Sequence, residues 1–380
     1  MKLVFINDQI YKYASRASSA VGGAERQQWL LARALVRAGW SVTVGVSEEL
    51  AIRTRISIDG VNFVGIGHGH GHVFSAWWRF LVSERPDWCY WRGADFTLGL
   101  AVEMARLARV RTIFSTAFDS DVHPRYALSR RAYLWPLYAW GLSHTEKIFV
   151  QHSGQLAELP AQWRSKASIV SSIAGAATAA KPHSARAADV AWVGMLRQPK
   201  RPDLLIEIAQ KAPDIHFIVC GAPNEHRSPA GYGPRIVDGL HQLANIELLG
   251  QVPAEQAQAI IANAAVLLST ADGEGFPNTF LQAWSSGTPV VSLSIDPDRV
   301  IERLKLGVVS GNVENTIMHI RRLLASPERR EEIAARARKY VETAHDETVV
   351  VAAFESALGK SLVSISDSSP RMCHGSSPAP

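Results

Sequence analysis

The chain has 380 residues, of which 47% are hydrophobic and 20% charged, a balance that excludes wholesale disorder and leaves room for two domains with cores of their own. Its net charge of +5 is uneven: residues 1–172 hold 20 Lys and Arg against 13 Asp and Glu, leaving 20 against 22 in the remainder. Cys89, Cys220 and Cys373 lie far apart with no C-x-x-C pair, which argues against a disulfide framework or a cysteine zinc site and reads as small hydrophobes.

Strand-like runs alternate with helical stretches from the start. Lys2–Asn7 precedes a helix over about Gly23–Ala38, and Ser41–Val46, Val61–Ile66, Asp87–Trp91, Arg111–Thr116, Lys147–Gln151 and Ala167–Ser172 follow. This pattern predicts a doubly wound parallel sheet over residues 1–172. The alanine-rich, polar segment 173–188 reads as a linker. A second alternation occupies 189–345, with strands at Asp189–Gly194, His216–Gly221, Ile246–Gly250, Ala265–Thr270 and Pro289–Leu293 and helices at Asn312–Leu324 and Pro327–Thr343. A further helix is expected within 346–359, and the Ser/Pro-rich stretch 360–380 reads as a disordered tail.

No apolar run reaches the roughly 18 residues of a spanning helix, and MKLVFINDQ turns polar too early for a signal peptide, so a cytosolic protein is expected. The basic half is also aromatic, with AWWRF at Ala76–Phe80, WCYWR at Trp88–Arg92 and RRAYLWPLYAW at Arg130–Trp140. Such segments suit contact with an anionic membrane surface. No nucleic-acid recognition motif accompanies the charge, so no nucleic-acid partner is expected. His68, His70 and His72 alternate with glycines; they read as a loop, and no metal is assigned to them.

The most informative run is ADGEGFPNTFLQAWSSGTPVV, Ala271–Val291. Glu274 lies between Gly273 and Gly275, which permit close backbone approach to a ligand. Pro277 suits the first turn of a helix whose free N–H groups favour phosphate, and the helix stops at Gly287 and Pro289 before a buried strand. This places a polar, anionic ligand at the carboxyl edge of a parallel sheet, where open α/β folds bind ligands.

Together these residues resemble the retaining glycosyltransferases of family 4, the group 1 glycosyl transferases with the two-Rossmann GT-B fold. The resemblance covers about residues 1–358. It rests on GGAERQQWLLARAL (Gly22–Leu35), KIFVQHSGQ (Lys147–Gln155), WVGMLRQPKRPDLLIEIAQKAPDIHFIVCG (Trp192–Gly221) and, most specifically, EGFPNTFLQAWSSGTPVVSLSIDPD (Glu274–Asp298). It implies two Rossmann-like domains facing each other across a cleft, with the C-terminal helix packing back on the first. It also implies transfer of a hexose from a nucleotide diphosphate-sugar, UDP- or GDP-linked, with retention and without metal or other cofactor.

By the same resemblance Lys200 contacts the donor diphosphate and Glu274 the sugar hydroxyls, while backbone at Gly275, Phe276, Pro277 and Asn278 lies along sugar and phosphate. Gly22 and Gly23 face the phosphates from the first domain, or simply start a helix. Asp119 and Asp121 are candidates for orienting the acceptor or stabilising the transition state; helix capping is the other reading. Their D-x-D spacing also fits metal binding in the GT-A architecture, which the two-domain pattern disfavours. Two departures stand out. Gln282 replaces the family's second acid, which grips the ribose, and Met195 replaces an arginine. Loss of charge assistance at Gln282 costs about 1 kcal/mol, and Arg197, more than Arg201, is placed to restore the missing guanidinium. The expected function is hexose transfer to a lipid-linked or polysaccharide acceptor, of the exopolysaccharide, capsule or lipopolysaccharide type, at the inner membrane face. The alternative is an inactive nucleotide-sugar binding or scaffold protein of the same fold.

Overall fold

A computed structural model describes residues 1–15, 22–67, 73–224 and 228–359. The alternating histidines His68, His70 and His72, Cys373 and the stretch 360–380 lie outside the described residues.

Two parallel-sheet α/β units account for them. In the first, the strands are β1 (Lys2–Ile6), β2 (Ser41–Val46), β3 (Arg55–Ile58), β4 (Val61–Gly65), β5 (Trp88–Arg92), β6 (Arg111–Ser115), β7 (Lys147–Val150) and β8 (Ala167–Ile169). They lie in the order β3-β4-β2-β1-β5-β6-β7-β8. Every pairing is parallel except β3 with β4. The second unit holds β9 (Asp189–Val193), β10 (His216–Cys220), β11 (Ile246–Gly250), β12 (Val266–Ser269), β13 (Val290–Ser292) and β14 (Gly307–Val309), ordered β11-β10-β9-β12-β13-β14 and all parallel. Runs such as Leu3, Val4 and Phe5 or Val290 and Val291 are buried on both faces, as strands covered by helices on each side must be. Strand order reverses between β1 and β5 in one sheet and between β9 and β12 in the other, the points where such sheets open a crevice.

The alternating pattern of β3 escapes the sequence reading because its Ile56 and Ile58 are only half covered at the sheet edge. Asp59 and Gly60, both at positive φ, close a two-residue hairpin between Ile58 and Val61; Asp-Gly is a favoured pair for that turn. WCYWR is β5, with Trp88, Cys89 and Tyr90 buried, so this segment belongs to the core and not to an exposed aromatic face.

The chain crosses between units twice at one place. Outbound, Gln27 brackets Ile173, donating to its carbonyl and accepting from its N–H at 2.8 Å each, and Arg26 donates to the Ala174 carbonyl at 2.8 Å. Further along the 173–188 stretch, Arg186 is buried against Thr288 and the Ser286 carbonyl of the second unit. On the return, His345 ends the helix Pro327–Ala344, and the helix Glu347–Ala357 then lays Phe354 into the first core against Trp40 and Phe149. Trp40 donates to Glu355 at 2.8 Å, and Arg37 pairs with Glu347.

His345 ties the two crossings together. Its Nδ1–H donates to the Ser172 carbonyl at 2.7 Å, Nε2 accepts from Tyr340 Oη at 3.0 Å, and its own carbonyl accepts from Ala174 N at 3.1 Å. Both ring nitrogens are thus engaged as in the neutral form, and burial pulls its pKa from 6.5 to about 4. His183 goes the same way, to about 4, through burial and the nearby Arg186. A folded-state value below the unfolded one means the unfolded chain binds the extra proton. Stability is therefore complete above about pH 6.5 and falls as pH drops toward 4, by up to roughly 3 kcal/mol for a fully buried histidine. Urea unfolding between pH 4 and 7.5 should show this slope. His345→Gln should flatten it, while an unchanged slope would remove His345 from its cause.

Candidate active site

A cavity of about 630 Å³ lies between the units at the carboxyl edges of both sheets, within the size range of small-molecule sites. On the second unit its wall is built by the segment following β9. Gly194 leads to a single turn at Gln198–Lys200, held from below where Trp192 Nε1 donates to Thr270 Oγ1 at 3.0 Å and Thr270 Oγ1 donates to the Lys200 carbonyl at 2.8 Å. Lys200 Nζ then donates to Glu274 Oε1, pairing the two sequence-predicted charges at the cavity wall. Burial, reinforced by Arg197, pulls the Lys200 ammonium below its ordinary value.

Arg197 lines the cavity and sets its guanidinium over the Phe118 ring of the first unit, 5.7 Å from the centroid. Arg201 does not enter: at φ +48 its side chain turns to Asp203 at 2.8 Å and Asp272 at 3.5 Å. Met195 also lines the cavity. Gln282, one turn into the helix Asn278–Ser285, faces the cavity, and its side-chain amide makes no hydrogen bond with any described residue. Its amide is thus available to a ligand.

The glycines have a different cause from the one expected. A Cβ on Gly275 would sit 2.4 Å from Gln151 Nε2 and 2.6 Å from the Ala117 carbonyl oxygen, both in the first unit. Gly275 is therefore set by the approach of the two units, and neither it nor Pro277 lines the cavity. Pro277 precedes the helix as its N-cap rather than opening its first turn. Phe276 and Asn278 do line it, but Phe276 N donates to Gln151 Oε1 at 3.3 Å. Asn278 reaches across, donating to the Gly23 carbonyl at 3.0 Å and accepting from Gln27 at 2.6 Å. A Cβ on Gly23 would meet Asn278 Nδ2 at 2.3 Å. Gly22 and Gly23 both line the cavity where the helix Gly23–Arg37 begins, with the N–H groups of its first turn at the cavity edge.

Asp119 and Asp121 line no part of the cavity. Asp121 is buried and accepts from Ala117 N at 2.7 Å and Phe118 N at 3.0 Å, so it shapes the turn after β6. Asp119 accepts from Gln155 Nε2 and bonds His152 Nε2, each at 2.9 Å. With one carboxylate turned inward, the triplet does not offer paired oxygens to a cation. Ala117 and Phe118, from the same loop, are the residues that reach the cavity.

Sequence reasoning missed several wall residues. Gly221, Ala222, Pro223 and Asn224 follow β10, and Gln251 and Val252 follow β11; their signal was only their place after predicted strands. Gln151 lies in the quoted run KIFVQHSGQ, but its bridging position becomes visible only when the units meet. Arg92, at the end of β5, also lines the cavity.

The sequence matches a model of the glycosyl transferases group 1 over residues 187–326 and a model of the glycosyl transferase 4-like domain over residues 22–171. A D-inositol 3-phosphate glycosyltransferase of Mycobacterium tuberculosis is 27% identical over 181 residues, which is 45% of this chain and 38% of that protein. The match thus spans well under half the length of these curated relatives. Among solved structures, sucrose-phosphate synthase from Thermosynechococcus elongatus superposes with a TM-score of 0.74 at 15% identity, covering 94% of this chain and 98% of its own. The Anabaena protein HepE, solved with UDP and glucose, gives 0.71 at 14% identity, covering 94% and 99%. At these identities the two structures speak for the fold.

The seam itself is testable. Gly275→Ala should force the units apart or displace Gln151, costing about 1–3 kcal/mol and enlarging the radius of gyration in solution scattering. A variant of wild-type stability and size would show that the approach at Gly275 is not needed.

Proposed function

The chain belongs to the glycosyl transferases of group 1 and has the GT-B fold, and from that premise we propose that it transfers a hexose from a nucleotide diphosphate-sugar to a lipid-linked or polysaccharide acceptor. The reading extends to UDP- or GDP-linked donors, retention at the anomeric carbon and independence of metal. The observation that carries it is the Lys200–Glu274 pair on the wall of an interdomain cavity, beside the free amide of Gln282.

In this reading the diphosphate takes the place of Glu274 as the partner of Lys200. Charge grows on the diphosphate as the sugar leaves, so fixed donors there lower the barrier most. Lys200, Arg197 and the N–H groups of the first turn after Gly22 supply them, filling the role that a cation has where carboxylates line the site. Glu274, released from Lys200, accepts from sugar hydroxyls, and Gln282 accepts from one ribose hydroxyl. Asp119 is not on the cavity wall; its bond to His152 makes it a positioning group for the turn that presents Ala117 and Phe118.

Support for a membrane-bound acceptor comes from the first unit's surface. Tyr126, Tyr133 and Trp140 are 76%, 75% and 51% exposed, and Leu100 and Leu107 stand exposed on the helix Leu98–Leu107, whose Gly99 packs against Leu137. Arg125 and Arg131 lie over Trp135 and Phe96. Basic groups among exposed aromatics match an anionic lipid surface. No helix among the described residues is long and apolar enough to cross a membrane.

Incubation with UDP- and GDP-hexoses should give slow donor hydrolysis, and transfer when acceptor is added. Glu274→Gln should lower kcat by about 10²–10³-fold, and Lys200→Met should weaken donor binding as well. Binding of a nucleoside diphosphate without turnover of any donor, or a Glu274→Gln variant that loses affinity alone, would leave the scaffold reading in place. Sedimentation with vesicles of mixed neutral and anionic lipid should carry the protein down. Arg125→Gln with Arg131→Gln should cut that binding roughly thirtyfold, at about 1 kcal/mol per charge; equal binding to neutral vesicles would sink the electrostatic part.

A further inference from the structure

Among the described residues, Arg92 is a cavity-lining cation with only neutral hydrogen-bond partners. It ends β5, beside β1, at the point where strand order reverses in the first sheet, and it lines the cavity. Its Nη1 lies 3.4 Å from both Tyr90 Oη and Ser115 Oγ, and its Nη2 lies 3.3 Å from Gln151 Oε1. All three partners are neutral and the bonds are long. Its Nε is buried with no partner, and among the described residues no carboxylate pairs with it. A half-buried guanidinium ordinarily sits against a carboxylate, because desolvating a cation is costly. Lys200 on the opposite wall obeys that rule through Glu274; Arg92 breaks it.

We propose that Arg92 is a specificity-determining residue that receives an oxyanion, phosphoryl or carboxylate, carried by the acceptor. The proposal rests on the transferase reading above and adds the class of acceptor to it. Position assigns the anion to the acceptor. Gln151 Oε1 accepts from both Arg92 and Phe276 N, so Arg92 stands one side chain away from the Glu274–Phe276 turn, on the first unit's wall. An anion held there places its neighbouring hydroxyl toward the sugar while the diphosphate occupies the Lys200 wall. The planar fork of arginine suits both phosphoryl and carboxylate groups.

The test fills the donor site first. The whole protein is saturated with UDP or GDP, whichever binds, and titrated at constant ionic strength with inorganic phosphate, glucuronate and methyl glucoside. Calorimetry should show binding of at least one anion, with methyl glucoside about tenfold weaker or worse. Arg92→Gln should weaken the anion by about tenfold or more, Arg92→Lys should keep part of it, and nucleotide affinity should stay within about twofold in both. Phosphate alone identifies a phosphoryl acceptor, glucuronate alone an acidic sugar, and either supports the assignment. Three results overturn it: neither anion binds the saturated protein, Arg92→Gln binds the anion as wild type does, or Arg92→Gln loses nucleotide affinity as Lys200→Met does. The last would move Arg92 to the donor side. Failure of both nucleoside diphosphates to bind is separate, since it removes the transferase reading and this proposal with it.

Discussion

Everything at the site depends on how closely two sheet edges approach each other. At Gly275 and Gly23 there is no room for a Cβ, because Gln151, Ala117 and Asn278 occupy the space. A third contact completes the seam. Asp298, held at φ +52, accepts from Ser153 Oγ at 2.6 Å, Ser153 N at 3.1 Å and Gly154 N at 3.2 Å. Burial opposes its charge, but these hydrogen bonds outweigh it and keep its carboxyl below the ordinary value. A left-handed aspartate followed by Arg299 at φ +54 is a strained pair of residues, and strain of that kind persists only where surrounding contacts hold it. The carboxylate at the start of another unit's helix is such a contact.

The seam makes the charges interpretable. A buried ion pair such as Lys200–Glu274 adds little net stability, since desolvation offsets much of its attraction. In the proposed reaction its placement on a cavity wall would permit exchange, a polyanion taking the lysine while the glutamate turns to hydroxyl donors. Arg92 on the facing wall has only neutral partners, and among the described residues no carboxylate pairs with it. Lys200 is thus matched by an acid while Arg92 faces only neutral groups, an asymmetry that suits the two ligands of the proposed reaction.

Much of this was legible in the chain before folding. Parallel-sheet strands read as continuous apolar runs, and Lys200, Glu274 and Gln282 fell on the cavity because each follows a strand at the same sheet edge or faces that edge from the next helix. What the sequence concealed was the reason for its glycines. Gly275 looks like a ligand-approach residue from its neighbours alone, and only the position of Gln151, far away in sequence, shows otherwise. Asp121 was misplaced for a related reason. A carboxylate in a post-strand loop reads equally as a ligand group or as a cap, and the two backbone N–H groups that decide the matter belong to a turn whose geometry periodicity does not reveal. Aromatic clusters divided in the same way, since WCYWR and RRAYLWPLYAW look alike in composition while one is a central strand and the other an exposed helical rim.

The two departures at Met195 and Gln282 can be weighed against this geometry. Arg197, two residues beyond Met195 on the same loop, lines the cavity, but its guanidinium lies over Phe118, on the opposite unit. A charge placed that way is set by the closed seam and not by the second unit alone. In the proposed reaction, donor binding would then depend on closure more than it would with an arginine rooted next to Gly194. In the same reading Gln282 would add to that dependence, because an uncharged ribose contact contributes less affinity to the second unit than a charged one. In the proposed reaction the two substitutions would thus shift donor affinity from one wall toward the junction between the units, where Gly23, Asn278 and Gln151 already meet.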